Sequence, residues 1–267
     1  MKAIPQTGNK LTISFAITLA AGVCAVLGLL PLVHVLSAAL LVALLFGYDR
    51  AKASYLKVLV WIAIFSVGIF MALHRPEGFS YWNAISVEQL HDNGKPYQQF
   101  VNLGKFFGAL IIFSWVMRGM AKDDLRRAIT VANLAIAFAS ALSVLLLATW
   151  ILKLEIFIKL SQTTLIFLAI NLLITCFSEE TFYRLVVQRP SEKAFANKVF
   201  GRIFGVMIAA TFFTLTHLSG QPQVLAVMVI AGTLYAITYA LTRSVSAAIV
   251  THFSVNALHF IFLTYPM

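Results

Sequence analysis

Nine apolar segments follow one another along the 267-residue chain, at about 11–30, 34–48, 57–73, 100–117, 128–150, 163–187, 203–219, 223–242 and 246–263. A helix needs about 20 consecutive apolar residues to cross a bilayer, and several of these segments reach that length. Charged residues make up only 11% of the chain and hydrophobic ones 60%, where a soluble domain carries about 25% charge. The expected fold class is therefore all-α: a polytopic membrane helix bundle of about eight or nine transmembrane helices. Pro31 separates the first segment from the second, which is short enough to stop before a full crossing.

The formal net charge is +10. Its distribution is informative. With the N-terminus on the cytoplasmic side, one face of the membrane collects Lys2, Lys10, Arg50, Lys52, Lys57, Arg118, Lys122, Arg126, Arg127, Arg189, Lys193, Lys198, Arg202 and Arg243. Arg75, Lys95 and Lys153 are read on the other face. The excess of Lys and Arg on cytoplasmic loops sets orientation, so the N-terminus is expected inside and, after nine spans, the C-terminus outside. For a bacterial chain the membrane is the plasma membrane. No basic patch is interleaved with exposed aromatics, so a nucleic-acid partner is not expected; the partners expected are the lipid bilayer and something within it. The first apolar run follows Lys2 and Lys10 but is too long for a signal peptide, and reads as a retained span.

The longest polar connection, residues 74–99, holds the turn formers Pro76, Gly78, Asn93, Gly94 and Pro96, with Tyr81 and Trp82 suited to an interface. The connection 118–127 carries Asp123, Asp124, Arg126 and Arg127 and is read as a compact loop and helix cap. Cys24 and Cys176 lie in apolar segments, without metal-site spacing, and Cys176 reads as a small filler.

Polar groups accumulate after about residue 155, which divides the chain into N-terminal helices, 1–155, and a functional core, 156–267. The stretch Cys176–Val187 places Glu179, Glu180 and Arg184 inside an apolar run. A charge at bilayer depth costs about 2.5–3.5 kcal/mol on insertion scales, so such groups need an interior and usually a task. On a helix Glu180 and Arg184 stand four apart on one face and can neutralise each other, while Glu179 is rotated about 100° away. Glu180–Arg184 is thus read as the structural pair and Glu179 as the working group. Phe213 and His217 stand four apart at the end of the seventh segment, and His252 and Asn256 four apart in the last; His259 could extend that face.

Glu179-Glu180-x-x-x-Arg184, Phe213-x-x-x-His217 and His252-x-x-x-Asn256, in that order, resemble the motifs of the CPBP intramembrane proteases, the CAAX prenyl endopeptidase and bacteriocin-processing (Abi) family. The resemblance covers roughly residues 160–260. It implies peptide-bond hydrolysis in a polar cavity among these helices, on a membrane-embedded or lipidated peptide such as a CAAX-type tail, a leader or a sorting segment. The residues suit that chemistry. A carboxylate can activate water as a general base, which assigns Glu179, with His217 positioning the water or shuttling a proton. His252 and Asn256 can donate to a developing oxyanion. Glu180, Arg184 and Phe213 are supporting residues. No cofactor is expected; the alternative is zinc on Glu179, His217 and His252, a His₂Glu set, without the HExxH signature. A secondary transporter using the same groups as a proton relay, or a non-catalytic adaptor, are the competing readings. One tension stands: counted from the expected inner helix ends at 1.5 Å per residue, Glu179 lies about 12 Å deep and His217 about 22 Å, so the seventh helix is expected to tilt, to begin deeper or to be broken.

Overall fold

The computed structural model describes residues 7–90, 96–119, 130–218 and 220–265. Lys2, Asn93, Gly94, Lys95, Lys122, Asp123, Asp124, Arg126 and Arg127, named above, lie outside them. Among the described residues the apolar segments form nine helices: α1 Thr7–Val26, α2 Leu32–Arg50, α3 Ser54–Leu73, α4 Leu103–Arg118, α5 Val131–Leu152, α6 Gln162–Lys193, α7 Lys198–Thr216, α8 Pro222–Thr242 and α9 Val245–Phe262. Eight are long and apolar enough to cross a membrane, so this is a multi-pass integral membrane protein. The short helix is not the second, as the apolar run suggested. Pro31 sits at the N-cap of α2 with φ −62° and leaves a 19-residue helix behind it, because proline costs nothing where no N–H is needed. The short one is α4, with 16 residues.

The connection after α3 holds a feature that its turn formers did not reveal. Strands β1 Asn83–Val87 and β2 Tyr97–Phe100 pair antiparallel, with a bulge between Asn83 and Ile85. Ile85, at the centre of β1, is buried, while its flanks are partly exposed.

The helices divide between two compact units. One contains α1 to α4. Lys10 of α1 pairs with Asp49 of α2 at 2.8 Å, and Trp115 Nε1 of α4 donates to the same carboxylate at 3.1 Å. Asn102 caps α4 through Lys105 N and donates to Ala72 O at the end of α3. His34 on α2 is fully buried against Phe70 of α3 and His74, the C-cap of that helix. Gly104 of α4 approaches it so closely that a Cβ there would meet His34 Nδ1 at 2.5 Å. This histidine is a buried polar group in helices that read as nearly free of ionisable side chains.

The other unit contains the hairpin and α5 to α9. Its helix starts are capped by side chains: Thr130 for α5, a Ser161–Thr164 capping box for α6, Asn197 for α7 and Ser244 for α9. Each satisfies amides that the first helical turn leaves unpaired. At one end of this unit the connection before α6 pairs with the end of α9. Phe157 N donates to Phe262 O, Lys159 N to Ile261 O and Thr264 N to Glu155 O, all between 2.8 and 2.9 Å. Lys159 Nζ donates to Phe157 O and Leu263 O, and burial pushes its amine down to about 8. Beneath it Phe167 of α6 stacks on Phe260 of α9 at 3.8 Å, with Ile85, Tyr97 and Tyr265 packed against the pair.

Candidate active site

The site is built on α6, which is not a regular helix. It carries π-helical stretches at Asn171–Cys176 and Phe182–Gln188, on either side of an α-helical turn, Phe177–Thr181. Pro190 follows the second stretch; it supplies no N–H and crowds the carbonyl four residues earlier, which favours a widened turn there. Such π-turns concentrate at functional sites. The α-helical turn between them holds Glu179 and Glu180.

Glu180 is fully buried. Arg184 Nε donates to its Oε2 at 2.7 Å, the four-residue pair that the spacing suggested. Its Oε1 lies 2.9 Å from His252 Nδ1, a contact between residues 72 apart that the sequence did not indicate. Because a carboxylate only accepts, His252 Nδ1 carries the proton and Nε2 is the remaining ring nitrogen. Tyr235 of α8 stacks on the His252 ring at 4.6 Å, and the Cys176 thiol lies against it.

Glu179 faces another way. Its Oε2 lies 3.6 Å from His217 Nε2, with the side chains 13% and 32% exposed. His217 caps the end of α7 and its Nδ1 lies 2.8 Å from Phe213 O. A carbonyl accepts only, so Nδ1 again holds the proton and Nε2 turns to the glutamate. Phe213 stacks on His217 at 4.4 Å and meets His252 edge-on at 5.8 Å, so one buried ring separates the two histidines. Gly232 of α8 makes room for it, since a Cβ there would fall 2.8 Å from Phe213 Cδ1.

Asn256 Nδ2 donates to Asn171 Oδ1 at 3.2 Å, and the Cys176 thiol donates to the same oxygen at 3.1 Å. Asn171, Cys176, Tyr235 and Tyr183, whose hydroxyl bonds Thr216, were not among the residues singled out for the site. Asn171 and Cys176 are five apart, a pairing that only a π-turn brings onto one face. His259 is not drawn into the group: its Nε2 contacts Thr264 O at 3.1 Å and its ring packs on Tyr265.

The expected depth mismatch dissolves for a definite reason. α6 continues through Pro190 to Lys193, where the apolar run alone ended it near 187. Glu192 sits level with α7 at Gly201 and Gly205: a Cβ at either would come within 2.4 Å of Glu192 atoms. From that level Glu179 and His217 are each about 20 Å along their helices, and no break or special tilt is required.

Among the described residues no three His, Cys, Asp or Glu side chains form a group that could hold a metal ion. The set Glu179, His217 and His252 is not assembled as ligands, since Glu180 takes His252 Nδ1 and Phe213 stands between the imidazoles.

Residues 161–258 match the family model described as type II CAAX prenyl endopeptidase Rce1-like. Over these residues the chain is similar to that family. The match begins on the N-cap of α6 and ends two residues after Asn256, so it contains all seven motif residues and leaves α1 to α5 and the hairpin outside. No curated protein and no solved structure matches the chain. The Rce1-like match supports the coarse reading of an intramembrane protease acting on a peptide.

Proposed function

We propose that the chain is an intramembrane endopeptidase in which Glu179 activates water to hydrolyse a peptide bond of a membrane-associated substrate, a CAAX-type tail, a leader or a sorting peptide. The observation that carries this reading is the separation of Glu179 Oε2 and His217 Nε2, 3.6 Å between two partly exposed side chains. That is too long for a direct hydrogen bond and suits one water bridging both. As the water oxygen adds to the substrate carbonyl carbon, Glu179 takes its proton and the carbonyl oxygen becomes an oxyanion. Asn256 Nδ2 donates to Asn171 Oδ1 and, over 3.8 Å, to Cys176 Sγ; the long bond to sulfur is the one it can exchange for that oxyanion. His252 can add a donor from Nε2 when its ring holds both protons, with the Glu180 carboxylate on Nδ1 balancing the charge. When the C–N bond breaks, the proton held by Glu179 passes to the leaving amine, directly or through His217. The products are a new carboxylate and a new amine.

The positive-inside distribution supports a cytoplasmic N-terminus, in a bacterial plasma membrane. Residues 1–155 are assigned no catalytic role, and the catalytic core is placed within 156–267. The test is cleavage in ¹⁸O-labelled water by purified protein in detergent, with farnesylated and unlipidated membrane peptides as probes. Mass spectrometry is expected to find one ¹⁸O in the new C-terminal carboxylate with wild type, and intact peptide with Glu179→Gln. Wild type that leaves every probe intact contradicts the reading and returns the adaptor.

A further inference from the structure

The family-like motif stops at Arg184, but the buried polar chain does not. Arg184 Nη1 donates to Gln188 Oε1 at 2.7 Å; Gln188 Nε2 donates to Glu192 Oε1 at 3.1 Å and to Ala236 O of α8 at 2.9 Å. Arg243 Nη1 then donates to Glu192 Oε2. Positions 180, 184, 188 and 192 are each four apart and share one face of α6. Arg243 ends α8 in the left-handed conformation, φ 57°, and keeps 33% side-chain exposure, while Glu192 is buried.

We propose that Gln188, anchored by Glu192 and Arg243, is a positioning residue that sets the Glu180–His252 pair. This rests on the protease reading for its kinetic consequence. Gln188 has one acceptor and two amide hydrogens, and its partners use all three: a guanidinium that only donates, and a carboxylate and a carbonyl that only accept. A reversed amide would face like groups on every side, so one orientation is fixed. That orientation holds Arg184 Nη1 away from Glu180, and Arg184 reaches the carboxylate through Nε alone, at 2.7 Å. Without Gln188 the buried guanidinium rotates to satisfy Nη1, and Nε moves off the oxygen it holds. Glu180 then changes its hold on His252 Nδ1. Gly205 supplies the room for the anchor, because a Cβ there would lie 2.4 Å from Glu192 Cγ.

The test pairs kinetics with a readout that needs no turnover. Protein labelled with ¹⁵N-histidine is studied in detergent micelles, with the His252 signals assigned by their loss in His252→Asn. Gln188→Leu is expected to displace the His252 nitrogen resonances and to lower kcat about tenfold to a hundredfold, by analogy with the loss of an outer partner of a metal-ligating side chain, with KM unchanged. Glu192→Ala is expected to do the same, and to add nothing in the Gln188→Leu background. Arg243→Lys, which keeps the ion pair, is expected to match wild type in both. Should Gln188→Leu not fold, Arg243→Gln carries the same expectation from the exposed end. Unmoved His252 resonances in these variants, or losses from Gln188→Leu and Glu192→Ala that multiply, overturn the proposal. Wild type that cleaves no probe would overturn the protease reading, and the spectra would still decide this one.

Discussion

Glu179 and Glu180 are the same side chain in opposite surroundings. Glu180 is sealed between Arg184 and His252, whereas Glu179 keeps some exposure and faces His217 across a gap. Removing one partner from a buried ion pair costs about 3–5 kcal/mol, so Glu180→Ala is expected to lower the melting temperature of the protein in detergent. Glu179→Gln is expected to melt as wild type while kcat falls about 10²–10⁴-fold, the usual weight of a general base. Thermal unfolding and initial rates on the same preparations separate the two; equal effects from both changes would contradict the division of labour. The Glu180–Arg184 pair was legible because four residues on one helix is a local spacing. The bond from Glu180 to His252 was not, because it joins α6 to α9 and depends on the rotation of each helix. Asn171 was passed over and Cys176 was read as a small filler, because each is an ordinary helix residue alone and their pairing needs a five-residue turn.

At the scale of elements, α6 shows what an apolar pattern misses. The run of hydrophobic residues ended near 187, yet the helix continues through Pro190 to Lys193 because Gln188 and Glu192 are paired inside the protein. Once that continuation is known, Glu179 and His217 fall at one level. Helix packing there depends on small residues. Gly232→Ala would push a Cβ into Phe213, which supports both histidines. Overpacking costs about 1–3 kcal/mol, and this variant is expected to lose both melting temperature and kcat. Gly22→Ala, with open space around it, is expected to change neither, and similar losses in the two would remove the steric argument. The pairing of residues 155–159 with the end of α9 gives a pH prediction. Lys159 falls from 10.5 to about 8 on folding, so between those values the unfolded chain binds the proton that the folded one has released. Stability therefore rises with pH through that window. The melting temperature of wild type, relative to Lys159→Met, is expected to climb from pH 8 to 10.5; a parallel course for the two proteins would contradict it.

For the whole molecule, nine apolar segments and an uneven distribution of Lys and Arg were enough to read a polytopic helical bundle, and each segment corresponds to a helix. The hairpin was not readable, because its strands are short and lie in a polar connection whose only strong signals are turns. The orientation we propose rests on charge alone and is open to test. Single cysteines introduced on a background without Cys24 and Cys176 are expected to react with an impermeant maleimide from outside at position 78 and only after permeabilisation at position 52; the reverse pattern would invert the topology. The central claim is peptide hydrolysis by water activated at Glu179. It is tested most directly by cleavage of membrane peptides by purified wild type, Glu179→Gln and His252→Ala, each with and without a zinc chelator. The expected result is cleavage by wild type that is indifferent to chelator and lost in both variants. Cleavage that vanishes with chelator, or a Glu179→Gln protein as fast as wild type, would contradict it.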